Sequence, residues 1–202
     1  MLSSELAPTR SAILQLREEQ DVILEAYDFL DEKRLLLAAE LLRQLKSYEE
    51  KIKEYETLRQ KAQRALVATI RRHGLQGTQV YPGQYLENAT LSLENYSFMA
   101  VSLTTTSLDI PEETGHQPAC HASPEAEQCR VLFQGMVILA ATIAGISGNL
   151  YRLLEEYRRT ERRARALENV VIPEMSHSLR EMSTQLEELD QEDIVRVHLK
   201  HR

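Results

Sequence analysis

The stretch TRSAILQLREEQDVILEAYDFLDEKRLLLAAELLRQLKSYEEKIKEYETLRQKAQRALVATIRRH, residues 9–73, contains neither Gly nor Pro. Its apolar residues recur at three- and four-residue steps: Leu16, Ile23, Tyr27, Leu30, Leu37, Leu41, Leu45, Tyr48, Ile52, Tyr55, Ala62 and Leu66. That spacing predicts a single helical stripe, opened by Pro8-Thr9 and closed by His73-Gly74. At 1.5 Å per residue the helix would run roughly 95 Å. A compact domain of this mass cannot bury so long a stripe, so it requires a partner helix of similar length.

The partner is expected from Ser123-Pro124-Glu125 onward, where Ser caps, Pro suits the first helical position and Glu faces the positive end of the helix dipole. Its stripe reads Phe133, Val137, Ala140, Ala144, Leu150, Leu154, Tyr157, Ala164, Leu167, Val171, Met182, Leu186 and Leu189. Pro173 lacks an N–H and crowds the preceding turn, so it should bend the helix or loosen one backbone bond. The outer faces carry Glu49 with Lys53, Glu155 with Arg159 and Glu161 with Arg165 at i,i+4. Such pairs add about 0.2–0.5 kcal/mol each.

Between the helices the pattern changes. Tyr81-Pro82-Gly83 punctuates the chain, then Leu91 to Glu94 and Phe98 to Thr106 alternate or run β-branched, predicting one β-hairpin. Pro111, Gly115 and Pro118 mark the stretch 109–122 as a mobile loop. The predicted fold is therefore mostly α, a long antiparallel two-helix coiled coil with a small hairpin and loop region at the end opposite the termini. Its segments are residues 8–73, 74–122 and 123–198.

Composition narrows the function. Interleaved charges at 27% of the chain indicate solvated helix faces, and a net charge of −7 argues against nucleic acid as a partner. The start MLSSELAPTR has no basic-then-apolar leader, which points to a reduced, cytosolic setting. His116, Cys120, His121 and Cys129 gather soft ligands, but their spacing matches no zinc pattern, so no metal or cofactor is expected. Neither a phosphate-cradling Gly-rich loop nor a nucleophile set in a pocket context is present, and no active site is expected.

Two stretches stand out. Residues 131–151, VLFQGMVILAATIAGISGNLY, carry no charge and have the length of a membrane helix. Gln134, Thr142, Ser147 and Asn149 lower their hydrophobicity, and the facing helix end bears Arg59, Lys61, Arg64, Arg71 and Arg72. These residues favour burial by protein over a membrane span. Arg158, Arg159, Arg162, Arg163 and Arg165 form a basic cluster. It fits a solvated face balanced by Glu155, Glu156 and Glu161, or a contact to carboxylates on a partner.

Ala7-Pro8-Thr9-Arg10 followed by Leu30-Asp31-Glu32-Lys33-Arg34-Leu35-Leu36-Leu37 resembles the start of the D subunit of V-type and A-type ATPases. Arg162-Arg163-Ala164-Arg165-Ala166-Leu167-Glu168, then Val170-Val171-Ile172-Pro173, resembles that family's closing half, as does the run from Leu186-Glu187-Glu188 to Arg196. Arg165 stands where the family usually has Asn, and the His201-Arg202 ending replaces a lysine-rich tail. The resemblance implies a non-catalytic central-stalk rotor at the cytoplasmic face of a membrane, coupling ATP turnover to ion transport. The implied partners are the catalytic and noncatalytic large A and B subunits, the small F subunit on the shaft, and a funnel-shaped C/d subunit above the membrane ring. It also implies partner contacts at Lys33, Arg34 and Glu168 in the matching motifs, beside the basic cluster. Readings that need no motor are a cytoplasmic coiled-coil scaffold and a membrane-anchored coil using residues 131–151.

Overall fold

The computed structural model describes residues 9–81, 89–110 and 121–200, apart from the side chain of Lys200. The elements are helix α1 (Arg10–Val80), strands β1 (Thr90–Phe98) and β2 (Val101–Asp109), helix α2 (Pro124–Ala166), a π-helical turn (Leu167–Val171) and helix α3 (Ile172–Lys200). The fold is mostly α, two long helical runs with a two-stranded antiparallel hairpin between them in sequence. The chain divides into two compact units, Met1–Leu36 with Tyr157–Arg202, and Leu37–Glu156.

In the first unit, Thr9 caps α1. Its Oγ1 accepts the Ala12 N–H at 3.2 Å and its carbonyl accepts the Ile13 N–H at 3.1 Å, satisfying donors that a helix start leaves open. Ala12, Ile13 and Leu16 pack with Leu179 and Met182 of α3, flanked by Met175 and Leu186. Arg10 bonds Asp190 at 3.0 Å and Gln20 donates to Ser176 Oγ at 3.1 Å, so the pairing is antiparallel. Thr160 and Ala164 extend the buried face. Leu189, expected in the stripe, is exposed. Ahead of Pro173 the Ile172 N–H reaches back five residues to the Leu167 carbonyl, the signature of a π turn.

In the second unit, α1 and α2 again run antiparallel. Ser123 caps α2, its Oγ accepting the Ala126 N–H at 3.2 Å, and Pro124 and Glu125 open the first turn. Arg72 makes a two-pronged bond to Glu125 at 2.9 and 2.6 Å, and His73 Nε2 meets Ser123 Oγ at 2.7 Å. Cys129 packs beside Thr69; burial pushes its thiol pKa up, partly opposed by a hydrogen bond with Thr69. Helical turns continue past the expected end at His73 to Val80, but Gly74 interrupts them at φ 72°, ψ 170°. Only glycine adopts that backbone without strain.

The hairpin closes through Met99 and Ala100, both at positive φ (48° and 65°), which gives the right-handed twist of a two-residue turn. It doubles back along the coil, so that Val101 and Leu103 are buried, Tyr96 reaches Gln44 of α1, and β2 lies on α2 between Ala141 and Arg152. The reason is the edge of β2, whose unpaired backbone groups find partners on α2. The loop expected at 109–122 falls largely outside the described residues.

Candidate partner-binding surfaces

The predicted seam residues fall into two groups. Leu16 is buried, and Ile23, Leu30, Leu167, Val171 and Leu186 are half-buried, all in the first unit. In the second unit Leu37 is fully buried, while Leu41, Tyr48, Ile52 and Leu154 are half-buried. Phe133, Val137, Ala140, Ala144 and Leu45, expected to face the coil, are exposed. The residues that seal the α2 side are instead Ala126, Cys129, Asn149 and Leu153. Asn149 and Leu153 sit one position before the predicted Leu150 and Leu154, because the hairpin covers the flank they occupy.

That one-position rotation leaves an apolar groove open. Leu41, Leu42, Leu45 and Tyr48 of α1 line it with Ser147, Leu150, Tyr151 and Leu154 of α2, around about 410 Å³. Leu42 is 67% exposed and Tyr151 75% exposed, so the groove has wide apolar lips that the chain itself does not cover. A polar recess of about 680 Å³ is lined by Gln60, Gln63, Arg64, Val67, Ala68, Arg71 and Glu125.

Opposite the groove, the hairpin is held by a polar clamp. Asn149 bonds both backbone groups of Thr104, Thr106 Oγ1 donates to the Ala141 carbonyl at 2.9 Å, and Arg152 donates to Thr104 Oγ1 at 2.9 Å. Gly145 makes the approach possible, since a Cβ there would lie 2.3 Å from Thr106 Oγ1. On α1, the nearly buried carboxylate of Glu40 is gripped by Arg43 at 2.7 and 2.6 Å and by Gln44 at 2.9 Å. The Arg43 hydrogen bond holds the Glu40 carboxyl below its ordinary range; burial works the other way and Gln44 assists. Sequence reasoning missed this cluster. The i, i+3, i+4 spacing of Glu40, Arg43 and Gln44 was the available signal.

In the first unit Arg158, Arg159, Arg162 and Arg163 are exposed, and Arg165 pairs with Glu161 at 2.6 Å. Lys33 and Arg34 are half-buried, Arg34 bonding Asp31; Glu168 stands exposed on the π turn. Of the suspected soft ligands, His116 and Cys120 lie outside the described residues, His121 is exposed and Cys129 is buried in α2. The helical run Pro124–Leu199 includes a stretch long and apolar enough to cross a membrane by length and composition. Within it, a Cβ on Gly135 would stand in ordinary contact with Leu58 of α1, 3.4 Å away.

Residues 12–200 match the family model that describes the D subunit of ATP synthase. The V-type ATP synthase D subunit of Thermotoga neapolitana is 24% identical, over 95% of each chain. The A-type ATP synthase D subunit of Archaeoglobus fulgidus is 27% identical over 96% of this chain and 95% of its own. The V-type ATP synthase D subunit of Thermus thermophilus is 27% identical over 96% and 86%. With a match that runs through both helical runs and the hairpin, the chain belongs to the ATP synthase D-subunit family of V-type and A-type ATPases.

Proposed function

We propose that this chain is the central-stalk rotor of a V/A-type ion-translocating ATPase, linking ATP hydrolysis or synthesis in a catalytic ring to rotation of a membrane ring. The observation that carries the reading is the match over residues 12–200 to chains named as the D subunit of such synthases. The chain contributes no reacting group; its role is to transmit torque and to present unlike faces to the large A and B subunits, biasing each catalytic interface toward a different nucleotide state. The exposed arginines 158, 159, 162 and 163 support contact with carboxylates on those subunits. The groove at Leu42, Leu45 and Tyr151 supports docking of the small F subunit, and the uncharged 131–151 stretch supports seating in the funnel-shaped C/d subunit. The complex is peripheral, at the cytoplasmic face.

A tagged chain should copurify with both large subunits and the F subunit, and reversing Arg162 and Arg163 to Glu should weaken that association more than it lowers the melting temperature of the isolated chain. A preparation that never contains the large subunits would turn the reading into that of a coiled-coil scaffold. One observation favours a membrane-anchored coil, the apolar length within Pro124–Leu199. Against it stand Asn149 and Thr104, whose hydrogen bonds commit this helix to a protein neighbour. Release by salt and EDTA washes is expected of the rotor; retention until detergent is added is expected of the anchor.

A further inference from the structure

We propose that the π turn Leu167–Val171 is a one-residue insertion that carries the coil seam past Pro173 in register. In the first unit Thr160, Ala164, Leu167 and Val171 face inward at steps of four, three and four, the cadence of a coiled coil. Continued unchanged, the seam would next use Glu174, Ser178, Glu181 and Gln185, all polar. The apolar side chains that pack with Ala12, Ile13 and Leu16 of α1 are Met175, Leu179, Met182 and Leu186, each one residue later. The sequence therefore slips by one position between Val171 and Met175, and the slip coincides with the π turn.

The geometry decides between an ordinary helix and an insertion. At 3.6 residues per turn, the three successive four-residue steps from Leu167 to Leu179 overshoot the seam by about 120°. One residue looped into a π turn removes roughly 100° of that. The same widening relieves Pro173. In a regular helix its ring would crowd the Asn169 carbonyl, which it cannot bond; with the Ile172 N–H redirected to Leu167, the strand of hydrogen bonds steps over the gap. The proposal does not depend on the rotor reading.

The test uses the full chain with Pro173→Ala as parent, so that the proline itself drops out. Removing the exposed Asn169 closes the π turn into an α turn and leaves Leu179 and Met182 on the seam; that variant should melt within a few degrees of the parent and keep amide protection across residues 175–186. Removing the exposed Arg180, outside the turn, throws Met182 and Leu186 off the face holding Leu179, and should lower the melting temperature by roughly 10 °C or more. Equal losses in the two deletions, or equal tolerance of both, would overturn the proposal.

Discussion

Asn149 takes the place of a neighbouring strand for Thr104: its side-chain carbonyl accepts the Thr104 N–H at 2.8 Å and its amide donates to the Thr104 carbonyl at 2.9 Å. Thr104 pairs with Asn95 in the hairpin register, at a position whose own backbone groups point away from β1. A helix side chain thus closes a strand edge that would otherwise be open to another chain. Asn149→Leu keeps the branched shape and removes both bonds. Leaving one half-buried donor and one acceptor unpaired should cost about 2–6 kcal/mol, at 1–3 kcal/mol per group. Faster amide exchange at Thr104 than at residues of α1 would accompany it, and unchanged exchange along β2 would refute the clamp.

Gly145 and Thr106 set the distance of that contact. A Cβ at Gly145 would meet Thr106 Oγ1 at 2.3 Å and Cγ2 at 2.7 Å. Gly145→Ala gains about 1 kcal/mol of helix propensity but overpacks by roughly 1–3 kcal/mol, so the net effect runs from neutral to a loss of about 2 kcal/mol, and the close approach to Thr106 puts it toward the loss. Adding Thr106→Ala leaves only a Cβ at 3.0 Å. The double variant should recover most of the loss, with a coupling above about 1 kcal/mol in urea unfolding; additive effects would mean that the two residues do not touch.

Leu37 and Leu45 share a helix, and burial separates their roles. Leu37 is fully buried and Leu45 is 43% exposed on the groove lip. Leu37→Asp should cost several kcal/mol by burying an unpaired charge. Leu45→Asp should change stability by under about 1 kcal/mol while weakening capture of the small shaft subunit. Equal stability losses would place Leu45 inside the core.

The long helices were legible because a period near 3.6 over residues 9–73 has no competing explanation, and Ser123-Pro124-Glu125 announced the second start. The phase of the α2 seam was not. Asn149 is polar, and its burial follows from bonds to a hairpin far away in sequence; a stripe count passes over it in favour of Leu150. Leu45 and Leu42 satisfy the same apolar spacing as Leu37 and Leu41, and only the position of the hairpin decides which flank stays open. Pro173 marked a disturbance, but the one-residue slip needed the structure to show which side chains are buried beyond it.

Glu40 gives the chain an acid-sensitive point. Its carboxyl is held below the ordinary 4.5, first by the Arg43 hydrogen bond. A folded pKa below the unfolded one means that the stabilisation is complete above about pH 4.5 and is lost as pH falls through the lower folded value. Glu40→Gln removes this dependence, so its stability against pH should be flatter than wild type on the acid side of 4.5. Parallel curves for the two proteins would show that Glu40 contributes nothing to acid unfolding.

The central claim is that this chain turns. With the large subunits fixed to a surface and a bead attached through the exposed position of His121, ATP should drive sustained rotation in one direction, and Leu37→Asp should abolish it. A complex that hydrolyses ATP while the bead on this chain stays still would contradict the account.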